Sequence, residues 1–127
     1  MGVLRNVLRM CEPGGILLHL TCLPPAAAIE VEGRVLGRLD QRRFLERVAR
    51  TEEAVDLLIA EELLVEEASL AHDVLKHYDT SADLIADIGE RRFSRVPATL
   101  ERKLAGTTRP VVERTRCLLR RLRVLPG

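Results

Sequence analysis

Val3, Leu4, Val7, Leu8 and Cys11 recur at helical spacing and predict a first helix. Pro13-Gly14-Gly15 ends it, since proline cannot continue a helix and glycine accepts the left-handed turn. The next segment, Ile16 to Cys22, is short, nearly all apolar and bounded by Gly-Gly and Pro24-Pro25. That pattern predicts a strand covered by helices on both faces. Ile29 to Leu39 reads as a hairpin turning at Gly33-Arg34, with Val31 opposite Leu36 and with Glu30 and Glu32 facing outward.

Asp40 to Glu62 reads as the longest helix, capped by Asp40. Its apolar stripe runs through Phe44, Val48, Thr51, Val55 and Leu58, widened by Leu45 and Ile59. The opposite face carries Arg42, Arg43, Glu46, Arg50, Glu53 and Glu61. A strand is expected over about Ala71 to Tyr78, with a start as early as Leu64 left open. Thr80, with Asp83 three residues on, caps a helix whose buried side is Leu84, Ile85 and Ile88. Pro97 opens a short helix that Gly106 ends. Val111 to Val124, free of Pro and Gly, reads as a long strand, with a helix as the competing assignment.

The chain has 127 residues, one domain's worth, so 1–127 is read as a single domain. A chain of this size buries roughly two thirds of its unfolded surface. Only Phe44, Tyr78 and Phe93 are aromatic. That speaks against the stacking platforms of single-stranded nucleic-acid binders. Charge is split: fourteen acidic and five basic side chains lie between Asp40 and Glu90, two acidic and eleven basic after it. The basic series Arg114, Arg116, Arg120, Arg121 and Arg123 could meet phosphates. Strand alternation would put the first three on one face and the last two on the other. Pairing with the acidic block accounts for them better, and no nucleic-acid partner is expected.

No apolar run is long enough to span a membrane. The weak leader-like pattern near Arg5 and Arg9 is interrupted by Glu12, Pro13-Gly14-Gly15, His19 and Thr21. Cys11, Cys22 and Cys117 are odd in number and far apart, which points to reduced thiols in the cytoplasm.

The segment Leu8-Arg9-Met10-Cys11-Glu12-Pro13-Gly14-Gly15, followed by Ile16-Leu17-Leu18-His19, resembles part of the class I S-adenosylmethionine-dependent methyltransferases. In that family a helix ends in Pro-Gly-Gly and feeds the fifth strand. His72 to Asp79 and Val111 to Arg116 look like its sixth and seventh strands. The resemblance implies an α/β chain with a partial Rossmann-like sheet, the C-terminal half of the family's fold. It would hold one parallel strand plus an antiparallel strand pair, with flanking helices and a small hairpin, and Val111 to Val124 would lie beside Ile16 to Cys22. It also implies a transferase that methylates a small molecule or a protein. The family's glycine-rich cofactor loop and ribose-holding acid have no counterpart here. The chain alone is therefore expected to bind no cofactor and to be inactive. S-adenosylmethionine would belong to an assembly with a cofactor-binding partner half. The alternative is a non-enzymatic interaction module of the same fold that dimerises. Because the fifth strand would expose an apolar, unpaired edge, the isolated chain is expected to self-associate or to need that partner half.

His19 and Thr21 are the candidate residues, because ligands gather at the carboxyl ends of strands in open parallel sheets. Thr21 could hydrogen-bond a substrate and His19 could serve as a base. The plainer reading of His19 is a histidine satisfied within the fold. His72, Asp73, His77 and Asp79 are metal-ligand types. An odd separation on a strand turns His72 and His77 to opposite faces, so no metal site is expected. Cys22 lacks a partnering His and acid, and reads as a packed thiol.

Overall fold

The computed structural model describes residues 2–126; Met1, Gly127 and the side chain of Val3 lie outside the described residues. The elements are α1 (Gly2–Met10), β1 (Ile16–Cys22), β2 (Ala28–Val31), β3 (Arg34–Arg38), α2 (Arg42–Ala60), β4 (Leu64–Tyr78), α3 (Ser81–Gly89), α4 (Ala98–Ala105) and β5 (Val111–Val124).

The five strands form one sheet of order β1-β5-β2-β3, with β4 also on β5. All pairings are antiparallel. The Leu23 N–H donates to the Arg116 carbonyl and the Val124 N–H to the Gly15 carbonyl, so numbers rise along β1 as they fall along β5. The expected partial Rossmann-like sheet with a parallel strand is therefore corrected. β1, β2 and β4 all run opposite to β5, and β3 runs opposite to β2, so no two neighbours run alike. The expected adjacency of Ile16–Cys22 and Val111–Val124 is found.

β1 is not covered on both faces. Its burial alternates along the strand, and Ile16, Leu18 and Leu20 are exposed, Leu18 at 65% and Leu20 at 59%. A continuous apolar run mimicked a two-sided strand, but the described residues cover only one side.

The chain divides into two compact units. The first comprises residues 1–21, 46–72 and 117–127. Its core is Val55 and Leu58 of α2 against Leu64, Leu122 and Val124, with Leu4, Leu8, Cys11 and Leu17 packed around them. The second comprises residues 22–45 and 73–116. Its core joins Ile29, Leu39, Tyr78 and Val111 to Leu84 and Ile88 of α3 and Leu100 and Leu104 of α4.

The hairpin turns one residue earlier than the sequence suggests. Val31 pairs with Arg34, not Leu36, and Glu30 with Val35. Glu32 and Gly33, at φ 51° and 77°, form the turn. Two successive positive φ angles match the twist of a hairpin, and glycine at the second makes one of them easy. Asp40 bridges to Arg95, and its carboxylate accepts from the N–H of Arg42, where α2 starts, at 3.4 Å. Thr80 caps α3 as its spacing predicts, its hydroxyl accepting from the Asp83 N–H at 3.1 Å. β4 begins at Leu64, the earlier of the two starts considered.

Candidate functional site

In the first unit β1 turns Leu17, His19 and Thr21 toward the covered side. Thr21 is buried. The His19 imidazole meets a helix carboxylate, its Nε2 lying 2.7 Å from Glu52 Oε1. With that carboxylate ionised, the ring donates to it from Nε2. Glu52 is held from its other oxygen by Arg120 Nη1 at 2.8 Å. The same guanidinium donates from Nε to Glu66 at 2.7 Å and from Nη2 to Asp56 at 3.1 Å. Its side chain is only 8% exposed. Burial works against the Arg120 charge, but the hydrogen bonds to Glu66, Asp56 and Glu52 outweigh it and its pKa is raised. The result is a histidine held by a carboxylate that also accepts from a buried arginine.

His19 is thus not alone, as its sequence context suggested; Glu52 and Arg120 are the residues sequence reading missed. A signal existed. Val48, Glu52, Val55 and Ile59 follow helical spacing, so Glu52 stands on the inward stripe of α2, where a charge needs a partner. Arg120 was hidden because burial along β5 changes parity. That strand buries Val111, Glu113 and Cys117 in its first part, then Arg120, Leu122 and Val124. Strict period two groups Arg120 with Arg114 and Arg116, yet Arg120 is buried and those two are not.

In the second unit Arg91 grips Glu113 with both terminal nitrogens, each at 2.7 Å, and also reaches Asp87 and the Tyr78 hydroxyl. Hydrogen bonds from Lys76, Tyr78 and Arg91 hold the Asp87 carboxyl well below the usual carboxylate range. Burial and the bond to Asp87 push the Tyr78 phenol up. These groups satisfy one another around the buried Glu113 carboxylate. The remaining basic series is paired as well: Arg121 and Arg123 with Glu67, Arg114 with Glu30 and Asp73, Arg116 with Asp73.

Among the described residues no group of three or more His, Cys, Asp or Glu side chains could hold a metal ion. Cys11 and Cys22 are half-buried and Cys117 is buried, none in a disulfide. No helix is long and apolar enough to cross a membrane. The glycines do not fit an S-adenosylmethionine site. Gly14 and Gly15 form the turn before β1, Gly33 the hairpin tip, and Gly106 the end of α4. Gly37 lies so close to Leu100 that a Cβ there would sit 3.2 Å from its Cδ1. None follows a strand to open a helix.

Comparison with protein-family models, with curated proteins and with solved structures gives no match. The methyltransferase resemblance rests on the Pro-Gly-Gly lead-in and the order of elements.

Proposed function

We propose that this chain is the substrate-side part of an S-adenosylmethionine-dependent methyltransferase, working in the cytoplasm beside a cofactor-binding half. One observation carries the reading. β1 pairs with β5 on one side, nothing among the described residues pairs with its other side, and its uncovered face is Ile16, Leu18 and Leu20. In the family the fifth strand receives the cofactor half along that side. An apolar strand with free backbone groups is a surface that monomeric proteins avoid leaving open.

In that assembly the contribution of this chain would be positional. β1 would carry His19 into the substrate side of that assembly. Glu52 would orient the imidazole, which would take a proton from a small-molecule or protein nucleophile. The cofactor half would supply the activated methyl group. The second reading is an interaction module without catalysis, favoured by the commitment of every well-placed glycine to a turn or a packing contact.

The test is amide hydrogen exchange over residues 16–22, in the chain alone and co-expressed with a polypeptide carrying a glycine-rich strand–loop–helix. DNA upstream of the Met1 codon is the first place to seek that polypeptide. The amides of Leu18 and Leu20 are expected to exchange fast in the first sample and slowly in the second. Equal exchange in both would rule out β1 as the junction.

A further inference from the structure

The second unit holds a cavity of about 390 Å³ along the segment that joins α3 to α4. That volume lies at the lower end of small-ligand sites, roughly 300–1,000 Å³. Ile85, Ile88 and Val96 give the cavity an apolar side. Arg91, Arg92 and Arg95 line it with a single carboxylate, Glu101. The arginines are not equivalent. Arg91 is committed to Glu113 and Asp87. Arg95, 78% exposed, shares Asp40 with Arg42, so two guanidinium groups divide one carboxylate. Arg92 has no ion pair or hydrogen bond among the described residues; its guanidinium lies over the Phe93 ring at 5.8 Å, a contact that leaves its N–H fork free. A further donor is buried. Ser94 lines the same cavity and is only 8% exposed. Its oxygen accepts from Gln41 Nε2 at 3.0 Å, and no described residue accepts its proton. Gln41 is fixed in turn, its Oε1 accepting from the Ala27 N–H at 2.9 Å. A buried hydroxyl with an unmatched proton calls for an acceptor. Between Val96 and Glu101 the helix α4 begins, and its N-cap Pro97 gives no side-chain bond to the first N–H groups, so the positive helix end adds to the field.

We propose that this cavity binds a small sugar phosphate, its phosphate held by Arg92, Arg95 and Ser94 and its hydroxyls by Glu101. The proposal is independent of the reading given to β1. A phosphate monoester suits these donors, because its three terminal oxygens take an arginine fork bidentately and still accept from other groups. A carboxylate has two oxygens for the same three side chains. Glu101 sets the rest of the ligand. An ionised carboxylate only accepts, so it takes hydroxyl donors and repels a second anionic group. The surplus of arginines disfavours an ammonium at that place. The cavity has room for more than an inorganic anion, and its apolar side at Ile85 and Val96 packs against the carbon face of a sugar.

Isothermal titration of the whole chain with ribose 5-phosphate, inorganic phosphate and ribose tests this. Ribose 5-phosphate is expected to bind one-to-one, inorganic phosphate more weakly and ribose not at all. Arg92→Gln removes an exposed guanidinium that pairs with nothing in the described fold. It should leave the thermal midpoint unchanged and weaken ribose 5-phosphate about tenfold, the effect of one charge-assisted hydrogen bond. Arg102→Gln makes the same change of charge on α4, outside the cavity wall, and should have no such effect. Glu101→Gln should narrow the gap between ribose 5-phosphate and inorganic phosphate. In the parent chain, saturation should shift the amide resonances of residues 91–96 and leave those of β1 in place. Absence of saturable binding overturns the proposal, and so do shifts that spare residues 91–96. Equal weakening by Arg92→Gln and Arg102→Gln overturns it as well, because it marks loose attraction to a basic surface. An unchanged gap in Glu101→Gln overturns the assignment of the sugar hydroxyls.

Discussion

Arg120 is buried among three carboxylates, so its removal leaves Glu52 and Glu66 partly desolvated without a cation. Breaking a fully buried pair costs about 3–5 kcal/mol. Asp56 and Glu66 keep some solvent here, so Arg120→Met is expected to cost on the order of 2 kcal/mol, read from the urea midpoint. An unchanged midpoint would mean that the network only decorates the fold. Acid stability follows from the exposed ion pairs. Hydrogen bonds from Arg42 and Arg95 hold Asp40 at about 2; Glu67, Asp73 and Asp87 are likewise lowered by their Arg and Lys partners. A carboxylate with a lower pKa in the folded chain stabilises fully above its unfolded value, 3.8 for Asp40, and ceases to as pH falls through the folded value. Thermal midpoints should therefore hold from neutrality to about pH 4 and fall between about pH 4 and about pH 2. Asp40→Asn should flatten part of that fall, and an identical profile in the variant would contradict its share.

Elements with local punctuation were legible in the sequence. Thr80, three residues before Asp83, marked α3; Thr80→Ala is expected to cost about 1 kcal/mol, measured by urea unfolding, and no loss would show the cap to be idle. Pro97 and Gly106 bracketed α4 within a residue. What failed to show was non-local. The hairpin slipped by one because Glu32, not an obvious turn residue, takes a positive φ beside Gly33. Burial along β5 changes parity between Cys117 and Arg120, a break that no strict alternation reveals. The two-sided apolarity of β1 was read as two-sided cover, though the pattern records what a strand can bury and not what its own chain supplies. His19 was legible as a candidate; its partner Glu52 required α2 and β1 to be brought together.

At the scale of the molecule, the feature that most needs an explanation is β1, whose apolar face and second edge no described residue covers. The account assigns β1 to a cofactor-binding half. The assignment of β1 is the central claim, because without it the His19–Glu52 pair has no reaction to serve. Isothermal titration with S-adenosylmethionine tests it most directly, on the chain alone, on the chain assembled with a glycine-loop half, and on the same assembly with Leu18→Lys. The account predicts no binding by the chain alone, one-to-one binding by the assembly, and loss of the assembly in the variant. Micromolar one-to-one binding by the isolated chain, or an assembly indifferent to Leu18→Lys, would contradict it.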